Sequence, residues 1–141
     1  MKILVPVDGS DNSKRAAEYV LKMAKNHPSY EITIVSVACH YDMDYFADMW
    51  VSGEEVNAKC DTMYARYLED IKKNFDDAGV SVKTELLAGE PPKAIIRYVE
   101  ENGIDKVVMG SRGLSPFKGM VLGSVTYKVL NSVSVPVTIV K

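Results

Sequence analysis

The segment 110–124, GSRGLSPFKGMVLGS, combines glycines, hydroxyl groups and cations directly behind an apolar run. Gly110 and Gly113 come first, and Gly123 and Ser124 follow after nine intervening residues, where a helical pattern begins. A helix N-terminus exposes unpaired N–H groups and the positive end of the helix dipole. Glycine also lets backbone amides approach a phosphate closely. The spacing therefore makes this segment a candidate phosphate-binding loop.

Two cations and a serine add to that interpretation without deciding it. Arg112 and Lys118 bring positive charge, and the Ser124 hydroxyl can either cap the helix or bind a phosphate oxygen. The glycines are equally compatible with two tight turns beside an ordinary N-cap serine. Neither G-x-x-x-x-G-K-[ST] nor a G-x-G-x-x-G after a strand occurs, so a P-loop and the usual dinucleotide motif are unsupported.

The composition is that of an ordinary globular protein, and 141 residues suit one domain, 1–141, with a real core. Lys and Arg number 17 against 19 Asp and Glu, which gives no basic footprint for nucleic acid. No segment approaches the roughly 18 unbroken apolar residues of a membrane span. Asp8 interrupts the first apolar run, so we expect no signal peptide. Cys39 and Cys60 are far apart, as expected of free thiols in a reducing cytoplasm.

Apolar periodicity predicts the elements that must position the glycine segment. Short apolar or alternating runs predict five strands, at 2–7, 31–38, 80–87, 104–110 and 134–141. Helical spacing predicts four helices, at 12–26, from about 58 to 79, at 91–102 and at 124–133. Regular alternation of this kind favours a parallel sheet with helices on both faces.

Residues 39–57 fit neither period and are predicted to form a long connection that mixes acidic and aromatic residues. His40, Asp42, Asp44 and Asp48 within it could suggest a metal site. Metal sites need fixed geometry and outer-shell support, so a solvated acidic loop is the favoured interpretation.

Ligands of open α/β sheets bind beyond the carboxyl ends of the strands. The loops after the first and fourth strands are therefore the candidate site, and the first of them contains Asp8. His27 and His40 lie outside these loops, so no Ser-His-Asp set is readable. Tyr64 and Tyr67 share one face of the long helix and are predicted to be core residues rather than a stacking platform.

Pro136 lies inside the last apolar run. Proline cannot donate to a β-ladder, so the fifth strand is predicted to lie at an edge of the sheet. An edge strand with the sequence VPVTIV would invite pairing with another subunit.

The pattern G-x2-G-x9-G-[ST], formed by Gly110, Gly113, Gly123 and Ser124, resembles the nucleotide-binding signature of the universal stress protein family. KILVPVDGS, GEPPKAI, IDKVVMGSRG, LGSVTYKVL and VPVTIV are also similar to that family, and 39–57 is the weakest match. The resemblance covers nearly the whole chain.

The resemblance implies a three-layer α/β/α fold with a five-stranded parallel sheet in the order 3-2-1-4-5. Such a fold is Rossmann-like and related to that of the adenine nucleotide alpha hydrolases. We also expect a homodimer formed through the last strand, from Val135 to Val140.

The resemblance further implies an ATP site at the two strand-end loops. Asp8 would accept hydrogen bonds from the ribose hydroxyls, although a helix cap is the structural alternative for this residue. Pro6 and Val7 would flank it, Val37 would contact adenine, and Met109 would line the adenine or ribose wall. The triphosphate would be held, mostly by backbone amides, by Gly110, Arg112, Gly113, Gly123, Ser124 and Val125. Mg²⁺ or Mn²⁺ would accompany it through phosphate oxygens and water.

Three functions are compatible with this pattern. The first is an ATP-dependent regulatory switch in the stress response, acting on a protein partner and hydrolysing ATP slowly at most. The second is an enzyme that hydrolyses ATP or attacks its α-phosphate, since DGSDNS is loosely similar to the S-G-G-x-D-S loop of ATP pyrophosphatases. The third is a ligand-free structural dimer. We expect the first, because nothing resembles a general base or nucleophile beside the triphosphate.

Overall fold

The structure is a computed structural model that describes residues 1–38, 53–113 and 122–141. Strands and helices alternate along these ranges, as the apolar periodicity predicts. The strands are β1 (Lys2–Pro6), β2 (Glu31–Ala38), β3 (Lys83–Ala88), β4 (Lys106–Gly110) and β5 (Val137–Val140). The helices are α1 (Asp11–Asn26), α2 (Gly53–Asp77), α3 (Pro91–Asn102) and α4 (Ser124–Ser132).

All strand pairs are parallel, and the sheet has the order β3-β2-β1-β4-β5. The predicted order 3-2-1-4-5 is therefore confirmed. After β1 the chain moves toward one edge of the sheet, and after β4 it moves toward the other. A crevice forms at the carboxyl ends of two such neighbouring strands, and this is where α/β sheets bind ligands.

Helices cover both faces of the sheet, which confirms the three-layer arrangement. Ile3 and Val5 of β1 pack into one core with α1 and α2. Leu4, between them, packs on the opposite face with α3 and α4. All three side chains are fully buried, and each such burial contributes about 1.5–3 kcal/mol. Within the described ranges, no helix is long and apolar enough to cross a membrane.

Several predicted boundaries differ from the structure, and two of the differences have a clear local cause. Helix α2 begins at Gly53, inside the segment 39–57 that was predicted to be irregular. The first residues of this helix, GEEVN, carry few apolar side chains, so they produce no periodic signal. Strand β3 begins at Lys83 rather than at residue 80, because the Val80 N–H donates to the Phe75 carbonyl at 2.9 Å and closes the end of α2.

The fifth strand lies at the edge of the sheet, as predicted, but Pro136 precedes it instead of lying inside it. The Pro136 carbonyl accepts a hydrogen bond from the Val107 N–H at 3.0 Å, and the regular strand begins at Val137. Proline is tolerated here because its acceptor serves the neighbouring strand and no donor is required of it.

Candidate functional site

A cleft of about 220 Å³ opens at the carboxyl ends of the strands. All eleven residues predicted from the sequence line it, at the ends of β1, β2 and β4 and at the start of α4. They are Pro6, Val7, Asp8, Val37, Met109, Gly110, Arg112, Gly113, Gly123, Ser124 and Val125. The sequence-based prediction therefore selects residues that the fold brings together in one cleft.

The sequence reasoning missed other described residues that line the cleft, which are Ser13, Val35, Tyr64, Pro91, Ile95 and Thr126. Pro91 and Ile95 follow the carboxyl end of β3, so the strand-end rule would have found this region had it been applied to the third strand. Thr126 follows Ser124 by two residues in the first turn of α4.

Asp8 is fixed at the end of β1 by the turn that starts helix α1. Its Oδ1 accepts a hydrogen bond from the Ser10 N–H at 3.0 Å, and its own N–H donates to Ser13 Oγ at 3.3 Å. Ser10 is the N-cap of α1, because its Oγ accepts from the Ser13 N–H at 3.2 Å. The serine therefore caps the helix, and the Asp8 carboxylate is held in the cleft beside the cap.

Gly9 follows Asp8 in this turn and lies against helix α2, which packs on the same face of the sheet as α1. Its φ of 83° lies in the left-handed region, which favours glycine. A Cβ atom at Gly9 would lie 2.6 Å from Tyr67 Cε2, so the ring of Tyr67 rests directly on the turn. Helix α2 thereby presses on the residue next to Asp8 and helps to fix the turn.

The glycines of the candidate phosphate loop are needed for space rather than for unusual dihedral angles, since positive φ is absent there among the described residues. A Cβ at Gly113 would collide with Asp8 Oδ2. A Cβ at Gly123 would lie 3.2 Å from Arg112 Cα and 3.4 Å from the Gly113 nitrogen. These two glycines therefore allow the loop ends to lie against Asp8 and against each other.

Gly110 has a separate packing role. A Cβ there would lie 2.7 Å from the Asn12 carbonyl carbon and 2.8 Å from the Ser13 nitrogen. The first turn of α1 thus crosses β4 at van der Waals distance. Gly110 lines the cleft, but the close approach of this helix requires a glycine whether or not a ligand binds.

Hydrogen bonds hold the two ends of the loop together. The Gly123 N–H donates to the Ser111 carbonyl at 2.8 Å, and the Thr126 hydroxyl donates to the Gly110 carbonyl at 2.9 Å. The Ser111 N–H in turn donates to the Val140 carbonyl of β5 at 2.7 Å. The start of α4 is therefore joined to the end of β4 and, through it, to the edge strand.

The N-terminus of α4 offers donors to the cleft. Its N-cap is Gly123, which has no side chain for capping, and the first intrahelical bond is from Tyr127 N–H to the Gly123 carbonyl at 2.9 Å. The N–H groups of Ser124, Val125 and Thr126 precede that bond and have no acceptor within the helix. Ser124 is thus the first helical residue, not the cap, and its exposed hydroxyl belongs to the cleft. This is the geometry of an anion site.

The other end of the cleft is apolar. Val37 and Met109 are only 8% and 4% exposed and form part of its floor. The Val7 N–H donates to the Val35 carbonyl at 2.8 Å, which shows that alternate residues of β2 direct their backbone groups toward β1. Because β1 ends at Pro6, the corresponding N–H and C=O of Val37 point past its end, toward the cleft.

The described cleft carries one charge of each sign. Asp8 lies at the end of β1, and the exposed guanidinium of Arg112 follows β4. Within the ranges the structure covers, Arg112 makes no salt bridge, so its charge is available to a ligand anion.

The prediction that Tyr64 and Tyr67 are core residues was wrong. Both are half-buried, and Tyr64 lines the cleft. Their rings meet edge to face, with centroids 6.3 Å apart and an interplanar angle of 62°. The buried part of the helical stripe begins one turn later, at Leu68.

Several residues discussed in the sequence analysis lie outside the described residues, namely Cys39, His40, Asp42, Asp44, Asp48 and Lys118. Cys60 is a half-buried free thiol on α2. Among the described residues, no group of three or more His, Cys, Asp or Glu side chains could hold a metal ion. His27 is the C-cap of α1, and its ring stacks on that of Tyr30 with the ring centroids 4.9 Å apart.

Comparisons of the sequence and of the structure with known proteins both point to one protein family. The family model of the universal stress proteins matches residues 1–141. The chain is 32% identical over 152 residues to the universal stress protein YxiE of Bacillus subtilis, covering 99% of this chain and 98% of that protein. It is 31% identical over 153 residues to the universal stress protein MJ0577 of Methanocaldococcus jannaschii, covering 99% and 94%.

Solved structures agree in fold. The MJ0577 structure matches with a TM-score of 0.84 at 30% identity, covering 99% of this chain and 94% of that one. An Arabidopsis thaliana family protein with AMP bound has a TM-score of 0.71 at 23% identity, covering 100% and 91%. A universal stress protein in complex with cAMP has a TM-score of 0.67 at 23% identity, covering 100% and 96%. The chain belongs to the universal stress protein family.

Proposed function

We propose that this chain binds ATP in the cleft and acts as a nucleotide-dependent regulatory switch in the stress response. One observation carries the proposal. The uncapped N-terminus of α4 and the Asp8 carboxylate meet at Gly113, above an apolar floor. The cleft thus offers, one after another along its length, a phosphate site, a carboxylate that can accept from hydroxyl groups, and an apolar surface. This is the order of the phosphate, ribose and base of a nucleotide.

The nucleoside would occupy the end of the cleft formed by β1 and β2. Adenine would lie on Val37 and Met109, with the outward backbone N–H and C=O of Val37 bonding its edge. Asp8, flanked by Pro6 and Val7, would accept hydrogen bonds from the ribose hydroxyls. A carboxylate suits this task because it only accepts, and each ribose hydroxyl can donate.

The triphosphate would occupy the end formed by the loop after β4 and the start of α4. The N–H groups of Ser124 and Val125 point along the helix axis toward this end, where the dipole favours negative charge. Gly113 and Gly123 leave space for the phosphates, and Arg112 supplies a cation that can make bidentate contacts with phosphate oxygens. A triphosphate would be long enough to contact all of these groups, whereas a monophosphate would contact only some of them.

The relatives described with AMP and cAMP support an adenine nucleotide as the ligand class. Mg²⁺ or Mn²⁺ would be held through phosphate oxygens and water, since Asp8 is the one carboxylate among the described lining residues and is assigned to the ribose. Such an ion would neutralise part of the triphosphate charge.

The switch would act through the edge strand. Ser111 bonds both Gly123 at the start of α4 and Val140 at the end of β5, so phosphate contacts at the start of α4 are linked to β5 through two hydrogen bonds. We infer a homodimer formed through Val135 to Val140. ATP would change the fraction of chains in the dimer or the geometry of the dimer. An unidentified protein partner would read that change.

The described lining supports slow hydrolysis at most. It contains no histidine, and its one carboxylate, Asp8, is assigned to the ribose, so none of the described lining residues is left to act as a general base. An ATP-consuming enzyme is the alternative, and a ligand-free dimer is a second one. Turnover at or above about 1 s⁻¹, the low end of ordinary enzymes, would favour the enzyme.

The test uses protein purified without added nucleotide. Heat denaturation followed by chromatography and mass spectrometry of the released material should give ATP in near-equal amount to the chain. A mixture of ATP and ADP would indicate slow hydrolysis. A protein that releases nothing and also fails to bind added Mg-ATP would support the ligand-free dimer.

A further inference from the structure

Helix α2 brings an aromatic side chain to the cleft. Its inward face is buried at Leu68, Ile71 and Phe75, where it packs on the sheet. Tyr64 lies four residues before Leu68, one helical turn of about 5.4 Å. Since α2 joins two parallel strands, it runs back against their direction, and its earlier turns reach the carboxyl edge of the sheet. Tyr64 therefore continues the apolar stripe beyond the sheet, into the cleft.

The ring of Tyr64 is supported from behind. Tyr67 contacts it edge to face, with ring centroids 6.3 Å apart. Tyr67 in turn rests on Gly9, where a Cβ would lie 2.7 Å from its Cζ. The position of the Tyr64 ring is thus tied to the turn that holds Asp8.

Tyr64 lies at the nucleoside end of the cleft. Helix α2 packs against β2 and β3, whereas the anion site at the start of α4 follows β4 on the other side of β1. Tyr64 is the one aromatic side chain among the described lining residues, and Pro91 and Ile95 of α3 line the cleft from the opposite face of the sheet. A planar ligand group at this end would lie between an aromatic wall and an aliphatic one.

We propose that Tyr64 packs its ring against the base of the bound nucleotide and thereby selects nucleotides over inorganic polyphosphates. The inference rests on the proposed function, because it assigns a role within the same cleft. Aromatic rings favour bases through their π-faces and offer nothing comparable to a phosphate chain.

The experiment titrates wild type and three variants, Tyr64→Ala, Tyr64→Leu and Tyr64→Phe, with Mg-ATP and with inorganic tripolyphosphate by calorimetry. Tyr19→Ala is the matched control, since Tyr19 is a 40% exposed tyrosine of α1 that is not among the lining residues. Tyr64→Ala should weaken ATP binding about tenfold, the size of one aromatic–base contact. Tyr64→Leu should show most of this loss, Tyr64→Phe should stay close to wild type, and tripolyphosphate binding should not change.

Two results would overturn the inference while leaving the proposed function intact. One is ATP binding by Tyr64→Ala and Tyr64→Leu at wild-type affinity. The other is an equal loss of ATP and tripolyphosphate binding, which would show that Tyr64 only supports the fold of the cleft. A wild type that binds neither ligand would overturn the proposed function first.

In NMR spectra of the bound nucleotide, upfield shifts of the adenine H2 and H8 signals should appear with wild type and Tyr64→Phe and disappear with Tyr64→Leu.

Discussion

The backbone of Gly113 lies so close to Asp8 that a Cβ atom at Gly113 would collide with Asp8 Oδ2. The two residues follow different strands and are far apart in sequence, yet the parallel pairing of β1 with β4 brings their loops together. The Asp8 carboxylate, which we propose accepts from the ribose hydroxyls, therefore packs directly against the candidate phosphate loop. Changes to either residue should alter nucleotide binding more than they alter the fold.

Asp8→Asn should weaken ATP binding about ten- to a hundredfold. Asparagine keeps the Oδ1 acceptor of the Ser10 N–H, so the turn is preserved, but it replaces a charged acceptor by a donor. Hydrogen bonds to a charged group contribute about 1.5–3 kcal/mol, which sets the expected loss. Calorimetry with ATP and 2′-deoxy-ATP checks this, since the wild type should lose affinity for the deoxy ligand and the variant should not.

The matched control is Asp105→Asn. Asp105 accepts the Lys2 N–H at 2.7 Å just before β4, at the opposite end of the sheet. Its replacement should leave ATP affinity unchanged. Wild-type affinity in Asp8→Asn would show that this carboxylate serves only the turn.

Gly113→Ala should reduce ATP affinity with little loss of stability. The added Cβ displaces the Asp8 carboxylate or the loop, while the backbone angles of Gly113 place no demand on glycine. Gly103→Ala provides the contrast, since Gly103 ends α3 at φ 60° with open space around it. That substitution should lower the free energy of unfolding by about 1 kcal/mol without affecting ATP affinity. Identical binding by Gly113→Ala and wild type would separate this loop from the ligand.

Gly110→Ala should destabilise the fold itself. The new methyl group would press on the backbone of Asn12 and Ser13, and neither can move without shifting the first turn of α1. Overpacking of this kind costs about 1–3 kcal/mol. Urea unfolding measures it, and an unchanged midpoint would contradict the close packing of α1 on β4.

Val137→Pro should dissociate the inferred dimer without breaking the sheet. Pro136 and Val140 direct their carbonyls toward β4, so the alternate residues Val137 and Ile139 direct their backbone groups to the open edge. Proline at 137 removes an outward N–H, whereas Thr138→Pro removes an inward one and should destabilise the fold. Light scattering gives the mass of each variant. A dimer that persists in Val137→Pro would place the subunit contact elsewhere.

Glu85 should give the fold a small acid-sensitive contribution. The hydrogen bond from Lys83, aided by that from the Tyr98 hydroxyl at 2.9 Å, lowers the pKa of Glu85 below its usual 4.5. A carboxyl group whose pKa is lower in the folded state stabilises the fold at pH values above its unfolded-state pKa. This stabilisation is lost as the pH falls through the folded-state pKa. Glu85→Gln should therefore be at most about 1 kcal/mol less stable near neutral pH, because the pair is partly exposed.

The measurement for this residue is urea unfolding of both proteins across acid pH. The difference between wild type and Glu85→Gln should shrink to nothing as the pH falls below the folded pKa. A difference that persists in acid would assign the effect to packing rather than to charge.

The strand ends, the parallel sheet and its edge strand could be predicted from the sequence because each has a local signal, whereas the order 3-2-1-4-5 came from the resemblance to the family. Asp8 and Gly110 directly follow apolar runs, and parallel pairing then requires the carboxyl ends of those runs to share one edge. Pro136 indicated an edge strand because a proline has no N–H to donate to the ladder of a central strand. These features need no knowledge of which distant residues are in contact.

The rest depends on distances that periodicity does not contain. The stripe from Tyr64 to Phe75 shows which face of α2 is inward, but not where that face passes the edge of the sheet, so Tyr64 was assigned to the core. The need for glycine at 110 comes from a helix that crosses it, and nothing local distinguishes that need from a ligand contact. Helix α2 begins at Gly53 in a polar stretch whose helicity is supported by the turns that follow.

The most direct test of the account is a titration of ¹⁵N-labelled, nucleotide-free protein with Mg-ATP, followed by amide chemical shifts. The account predicts saturation at one ATP per chain, with the largest shifts at Asp8, Val37, Gly113, Ser124 and Val125. The amides of β3 before Leu86 and of the last turn of α1 should remain unchanged. Absence of shifts at saturating ATP, or shifts confined to other surfaces, would contradict the assignment of this cleft as an ATP site.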